Sequence, residues 1–231
     1  MNVNVKFVTD DKCCAYSKYG IKIIDNEKFI KPVKGARKEK IDLVKYIDNE
    51  MLDILNIGKK VYFKEKINDR EILDYADKYG MFGLILEQIL EDTKPNSKFD
   101  VRGMTIFSKE YVESFELIRL YAGKLYEFLY NIDKKGDRIR VPAILTDRNT
   151  EINFVFNIEN DVTVKVISLK QAIDLYFTLQ ISKPVRTLKI CKYCNKAFFA
   201  NNIKANYCCH SCKNKANVYK CRAKARNGGV E

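Results

Sequence analysis

Histidine is almost absent from this chain, which has 231 residues and a single histidine, His210. The long stretch before position 210 therefore cannot contain a Ser-His-Asp triad, a Cys-His pair or a histidine-based zinc-protease motif. The sequence also lacks a glycine-rich loop of the kind that holds phosphate groups. Together these absences predict that the protein is not an enzyme.

Long apolar runs are missing as well. The longest uninterrupted one, Met81 to Leu86, is far shorter than the ~20 residues of a membrane-spanning helix. The first residues, MNVNVKFVTDDK, lack the basic start, apolar stretch and cleavage site of a secretory signal. We therefore expect a cytoplasmic protein with no membrane partner. Because that compartment keeps thiols reduced, clustered cysteines predict metal ligands rather than disulfides.

Acidic residues are missing from positions 183–230, which contain twelve Lys and Arg residues. Positions 1–182 are left with 30 basic and 29 acidic residues, so the C-terminal segment carries almost all of the net charge of +12. Such a local excess is typical of a segment that binds a polyanion. The alternative interpretation is a lysine-rich tail that is only solvated.

Hydrophobic periodicity predicts both strands and helices. Alternating apolar residues predict short strands within positions 1–33 and a strand pair over 152–166. Apolar residues at helical spacing predict helices at positions 39–57, 68–79, 108–132 and 168–180. Gly58 is expected to end the first of these helices.

The order of these elements predicts the fold class and the domains. Strands and helices come in blocks, which is typical of an α+β fold of helices and antiparallel strands. Lys183-Pro184, where acidic residues stop, is the predicted boundary. We expect an α+β regulatory or sensing domain over 1–182 and a small basic four-cysteine zinc finger with a C-terminal helix over 183–231.

Five of the eight cysteines lie between positions 191 and 212. Cys191 and Cys194 have the two-residue spacing at which a tight turn presents two sulfur atoms to one ion. The second pair consists of Cys212 with either Cys208 or Cys209, because both spacings bring sulfur atoms to one face of a helix. Spacing alone leaves this choice open.

Two other side chains near the cysteines are not expected to be ligands. His210 is only two residues from Cys212, so a helix points the two in different directions. Cys221 lies nine residues after Cys212, on the opposite side of the same helix. Four thiolates favour zinc over harder metals, and four protein ligands leave no position for a substrate. The sequence therefore predicts one structural Zn²⁺, which would be the main stabiliser of so small a segment.

The pattern CKYC…F…YC…CKNKA resembles the treble-clef-like zinc fingers named for their Cys-Gly-Asn-Arg motif, the CGNR fingers. In that family the finger ends bacterial proteins whose larger N-terminal domain, ABATE, belongs to stress-induced transcription regulators. The resemblance covers mainly positions 191–231. Lys213 and Lys215 stand where the motif has Gly and Arg. The resemblance implies a DNA-binding role and zinc held by Cys191, Cys194, Cys208 and Cys212.

A helix from about Cys209 to Arg226 is predicted to follow the cysteines. Its small and apolar stripe, expected to face inward, consists of Cys212, Ala216, Tyr219 and Ala223. Two rows of cations flank this stripe and suit the phosphates of a groove. Asn214 and Asn217 are the polar candidates for base edges. The predicted nucleic-acid contacts are Lys213, Asn214, Lys215, Lys220, Arg222, Lys224 and Arg226.

These observations predict a zinc-binding and DNA-binding protein that regulates transcription. Its expected partner is double-stranded DNA, and assembly as a homodimer is left open. The alternative is a non-enzymatic module that uses the same structural zinc to bind RNA or a protein, since a basic zinc finger serves all of these uses.

Overall fold

The computed structural model describes residues 4–9, 14–40, 43–84, 111–135, 153–156, 161–166, 168–182 and 187–227. In this part of the chain, helices and small sheets are mixed, which confirms the predicted α+β class. The helices are α1 (Leu43–Tyr62), α2 (Asp69–Tyr79), α3 (Phe115–Lys135), α4 (Leu169–Ser182) and α5 (His210–Asn227). The strands are β1 (Asn4–Thr9), β2 (Cys14–Tyr16), β3 (Tyr19–Ile24), β4 (Glu27–Pro32), β5 (Lys38–Lys40), β6 (Glu113–Ser114), β7 (Asn153–Phe156), β8 (Asp161–Val166), β9 (Leu188–Ile190) and β10 (Ala197–Phe199).

The described strands form small sheets. β1 pairs in parallel with β8, and β7 pairs antiparallel with β8. β3 and β4 form a hairpin to which β6 adds, while β2 pairs with β5 and β9 with β10, all antiparallel. The antiparallel pairing of β7 with β8 confirms the predicted strand pair. Residues 157–160 between the two strands lie outside the described residues.

The core lies mainly between α1 and α3. α1 contributes the fully buried side chains of Met51, Ile54 and Leu55. α3 contributes the stripe that its periodicity predicted, and every member is buried: Phe115, Ile118, Ala122, Leu125 and Leu129. Burying a side chain of this size contributes about 1.5–3 kcal/mol.

Gly58 does not end α1, contrary to the prediction, because the helix continues to Tyr62. A Cβ atom on Gly58 would lie 2.0 Å from the carbonyl oxygen of Ala122 in α3. Glycine is therefore required here by the close approach of two helix backbones. Glycine is used both to end a helix and to let two helices pack closely, so the sequence alone did not distinguish these two roles.

The start of α2 follows its prediction in detail. Asn68 caps the helix with its side chain, which accepts from the backbone N–H of Arg70 at 3.0 Å. The Glu71 carboxylate in turn accepts from the backbone N–H of Asn68 at 3.2 Å, which completes the capping box. Gly80, with φ of 94°, takes the chain out of the helix.

α3 begins at Phe115, later than the predicted residue Ser108, and residues 108–110 lie outside the described residues. Glu113 and Ser114 pair with β4 instead, and the Ser114 hydroxyl caps the helix by accepting from the N–H of Glu116 at 3.2 Å. Local helix propensity is overridden by pairing with a distant strand. The start of α4 does follow the prediction, since the Ser168 hydroxyl accepts from the N–H of Gln171 at 3.1 Å.

Glu113 is a buried carboxylate that no pattern in the sequence singled out. Its oxygens accept from the backbone N–H groups of Phe82, Gly83 and Leu84, each at 2.7 Å, and from the Tyr111 hydroxyl at 3.0 Å. Burial raises the pKa of Glu113, and these four hydrogen bonds oppose that rise only in part. The residue ties the turn after α2 to the start of α3, which is a structural role.

No helix in the described part of the chain combines the length and the apolar character needed to cross a bilayer.

Candidate metal centre

Four cysteine sulfur atoms converge near the C-terminus. The Sγ atoms of Cys191, Cys194, Cys208 and Cys212 all lie within 4.8 Å of one another. The Cys208 sulfur is 3.6 Å from that of Cys194 and 3.6 Å from that of Cys212. The two cysteine pairs, far apart in sequence, thus form one cluster positioned to bind a metal ion.

The cluster fits a zinc ion by size and chemistry. Zinc binds four thiolates tetrahedrally with Zn–S distances of about 2.3 Å, which sets the sulfur atoms about 3.8 Å apart. The observed separations are close to that value. Four soft sulfur ligands also disfavour magnesium and calcium, which prefer oxygen. A metal held by four cysteines would have no open position, so its role would be structural.

The cysteines of the cluster affect one another's pKa. Burial opposes ionisation of Cys191, but the backbone N–H groups around it outweigh burial and lower its pKa to about 7. Burial and the neighbouring sulfur atoms raise the pKa of Cys208 and raise that of Cys212 to about 12. One thiolate thus suppresses the ionisation of its neighbours, and a divalent cation would remove that repulsion.

The structure also separates the cluster from the other nearby side chains. Cys209 is exposed, with its sulfur 4.0 Å from that of Cys208, and it lies outside the group of four. His210 is exposed, and its Nδ1 lies 3.2 Å from the side-chain nitrogen of Asn214. Cys221 is exposed on α5. The four cysteines implied by the CGNR resemblance are therefore the four that the fold brings together.

A tight turn, here called the knuckle (residues 191–196), presents the first cysteine pair. The N–H of Asn195 donates to the carbonyl of Cys191, and the N–H of Cys191 donates to the carbonyl of Lys196, both at 2.9 Å. Asn195 has φ of 58°, a left-handed conformation that asparagine tolerates better than most residues. The knuckle joins β9 to β10, which pair antiparallel and form a hairpin.

The hairpin of β9 and β10 packs into the core of the body. Leu188, Ile190 and Ala197 are buried in the same cluster as the side chains of α1 and α3. Cys191, Phe198 and Ala200 instead form a small second cluster that includes the other cysteine ligands. Residues 183–186 lie outside the described residues, so the domain boundary predicted there stays a prediction.

Tyr126 of α3 holds the knuckle from the side of the body. Its hydroxyl donates to the carbonyl of Asn195 at 2.6 Å. Burial raises the pKa of Tyr126, so this hydroxyl keeps its proton at neutral pH. The ring lies among those of Tyr62, Phe63 and Tyr130, with centroids 5.6 to 6.1 Å from its own. No pattern in the sequence distinguishes Tyr126 from any other core aromatic residue on a helix.

α5 starts at His210, so Cys212 lies in its first turn and Cys208 lies just before the helix. None of its side chains that the structure describes is buried. Of the stripe predicted to face inward, Cys212 and Ala216 are half-buried, but Tyr219 and Ala223 are exposed. The prediction was therefore wrong for the second half of the stripe, because the helix extends beyond the surface against which its first turns pack.

The predicted nucleic-acid contacts lie along this helix. Lys213, Lys215, Lys220 and Arg222 are exposed, as is Asn214, whose amide is close to His210. Lys224 and Arg226 belong to α5, but their side chains lie outside the described ones. The exposed cations form two rows, one on each side of the stripe that contains Cys212. Lys213 and Lys220 belong to one row, and Lys215 and Arg222 belong to the other. Within each row the two residues are seven positions apart, which is about two helical turns.

A cavity of about 480 Å³ lies between α1 and α2, and Lys196 of the knuckle forms part of its lining. Its lining combines ion-paired side chains, such as Lys78 with Asp53 at 2.9 Å, with Asn56. The side-chain oxygen of Asn56 is buried and has no donor within the described part of the chain. The cavity therefore offers a buried acceptor to a small polar molecule, beside three lysines that are already paired with carboxylates, Lys59, Lys60 and Lys78.

No known family model, curated protein or solved structure matches this chain significantly. The resemblance to CGNR fingers therefore rests on the cysteine pattern and the cluster it forms, and membership of that family stays a prediction.

Proposed function

We propose that the C-terminal segment is a structural zinc finger that binds double-stranded DNA through α5. The observation that supports this most directly is the convergence of four cysteines at the start of a helix whose charged side chains are all basic. A metal ion at that point would fix the helix relative to the body. The helix would then present its cations as one rigid unit to a polyanion.

The charge balance favours a nucleic acid over an ordinary protein surface. Four thiolates with one Zn²⁺ carry a charge of about −2, which the twelve basic residues of positions 183–230 far exceed. The same positions contain no acidic residue that would repel phosphate groups. Electrostatic attraction of this kind supplies most of the affinity of non-specific DNA binding.

The test is DNA binding by the zinc-loaded chain over a range of salt concentrations, measured by the anisotropy of a labelled duplex. If about six cations contact phosphates, the logarithm of the affinity should fall with log salt at a slope near −5. Lys220→Gln should reduce the magnitude of that slope by about 0.9. Lys22→Gln is the matched control, because Lys22 is an exposed lysine on β3 of the body.

Other results would overturn the proposal. A stronger preference for RNA at equal salt would favour the alternative of an RNA-binding module. Equal effects of Lys220→Gln and Lys22→Gln would contradict α5 as the binding surface. Binding that survives complete removal of the metal would contradict the role assigned to the zinc.

Transcription regulation and a cytoplasmic location are the further parts of this proposal. The body over 1–182 would sense a signal, and the cavity between α1 and α2 is a suitable place for a small polar ligand because Lys196 connects it to the knuckle. A ligand that contacts Lys196 would reach the finger through the same turn that carries Cys191 and Cys194. A ligand with this role should change the affinity of the chain for DNA in a titration at fixed salt.

A further inference from the structure

Two tyrosine rings, one half-buried and one exposed, pack together beside the cysteine cluster. Tyr193 lies in the knuckle between the first two cysteines, and Tyr219 lies on α5 two turns after Cys212. Their ring centroids are 6.0 Å apart and their planes are inclined by 31°. This is within the range of favourable aromatic pairs. Tyr219 nevertheless keeps 60% of its surface exposed, so its ring is supported from one side and open to solvent.

The assembly of this tyrosine pair depends on the cysteine cluster. Tyr193 moves with the first cysteine pair, and Tyr219 moves with the helix that carries Cys212. A metal ion that joins the two cysteine pairs therefore also brings the two rings together. The pair is a preformed platform on the same segment as the proposed DNA-binding helix.

Cations surround Tyr219. Lys215 lies one turn before it on α5 and Arg222 one turn after it, both exposed. Ala216 and Ala223 are the other neighbours one turn away, and such small side chains leave the ring accessible. The surroundings therefore combine one flat aromatic surface with positive charge on the same side of the helix.

This combination indicates what kind of molecule covers the ring. A second copy of the finger would bring cations against cations, and an apolar protein surface would desolvate Lys215 and Arg222 without pairing them. A nucleotide satisfies both features, because its base has a flat face and its phosphates are anionic. In a perfect duplex, each base face is already covered by its neighbours, whereas an unpaired base is free to stack.

We infer that Tyr219, supported by Tyr193, stacks on an unpaired base of the bound DNA while Lys215 and Arg222 contact the adjacent phosphates. This inference rests on the proposed function and specifies which form of DNA the finger binds best. The finger would prefer DNA with an unpaired base, such as a bulge or a melted segment, over the same sequence in a perfect duplex.

The test uses the zinc-loaded full chain and three labelled DNA probes of one sequence: a perfect duplex, a duplex with one bulged 2-aminopurine, and a single strand. Stacking should quench the fluorescence of the bulged 2-aminopurine. Tyr219→Ala should weaken binding to the bulged and single-stranded probes roughly 5- to 150-fold, the range found when a stacking residue is removed, and leave duplex affinity nearly unchanged. Tyr219→Phe, which keeps the ring, should retain both the affinity and the quenching.

The neighbouring residue provides a matched control, since Val218 is also apolar and exposed on α5. Val218→Ala should bind all three probes like the unmodified chain. Zinc content is measured for each variant, and Tyr219→Leu replaces Tyr219→Ala if the latter loses zinc. Binding that Tyr219→Ala leaves unchanged, or weakens equally for all probes, would overturn this inference and leave the proposed function standing. Failure of the unmodified chain to bind any of the probes would overturn both.

Discussion

The two halves of the cysteine-rich segment meet the rest of the protein in different ways. The hairpin of β9 and β10 buries Leu188 and Ile190 to 1% and 2% exposure in the main core. α5, in contrast, buries none of its described side chains and joins the hairpin through the cysteine cluster and the pair of tyrosines. The hairpin is thus held by the hydrophobic effect, which acts without metal, whereas we expect the position of α5 to depend on a metal ion bound by the cysteine cluster.

Removal of the metal should have the largest effect on folding, and it should unfold α5 but not the hairpin. Chelation, or Cys212→Ser, is expected to unfold α5 and leave α1 folded, because structural zinc contributes an apparent 10–16 kcal/mol, roughly, in small fingers. Hydrogen exchange checks this: amides of 213–227 should lose protection and those of 43–62 should keep it. Cys221→Ser is the control, since Cys221 is exposed outside the cluster. Protection of α5 without metal would mean that the comparison between the halves is wrong.

Removal of a buried side chain from the hairpin should have the opposite effect, so that the body loses stability and zinc stays bound. Leu188→Ala removes a side chain buried in the main core and is expected to lower the free energy of unfolding of the body by about 2–5 kcal/mol. Zinc should still bind in a one-to-one ratio, because Leu188 lies outside the small cluster around the cysteines. Urea unfolding with metal analysis measures both quantities.

Ile203→Ala is the matched control for that variant, because Ile203 is 65% exposed within the same finger and its loss should change stability by less than about 0.5 kcal/mol. Equal effects of the two substitutions would show that the hairpin contributes nothing to the body.

The smallest expected effect concerns the hydrogen bond that joins the knuckle to α3. Tyr126→Phe removes the hydrogen bond to the carbonyl of Asn195 and should cost about 0.5–1.5 kcal/mol. Competition with a chelator should show a slightly weaker affinity for zinc, since the knuckle loses a positioning contact.

Tyr130→Phe is the control, because Tyr130 belongs to the same aromatic cluster and its hydroxyl donates to no residue in the described ranges. If both variants bind zinc equally well and unfold at the same urea concentration, the hydrogen bond of Tyr126 has no measurable role.

Much of the fold followed from local patterns in the sequence. The capping box of Asn68 and Glu71 determined the start of α2 because its hydrogen bonds lie within a single turn. The buried stripe of α3 followed from apolar spacing. The prediction for Gly58 was wrong because its role depends on Ala122, a residue far away in sequence. Glu113 was missed because three of its four donors come from a distant segment.

The candidate metal site likewise combines features that the sequence predicted with features that only the structure revealed. The sequence by itself determined that a cysteine cluster exists, that its segment is basic and that a helix follows, because residue type and spacing are local properties. Only the tertiary structure decided that Cys208 joins the cluster while Cys209 stays outside, that Tyr126 holds the knuckle, and that Tyr219 is exposed rather than buried. Each of these depends on which surface lies opposite a side chain, and that is set by the packing of segments distant in the chain.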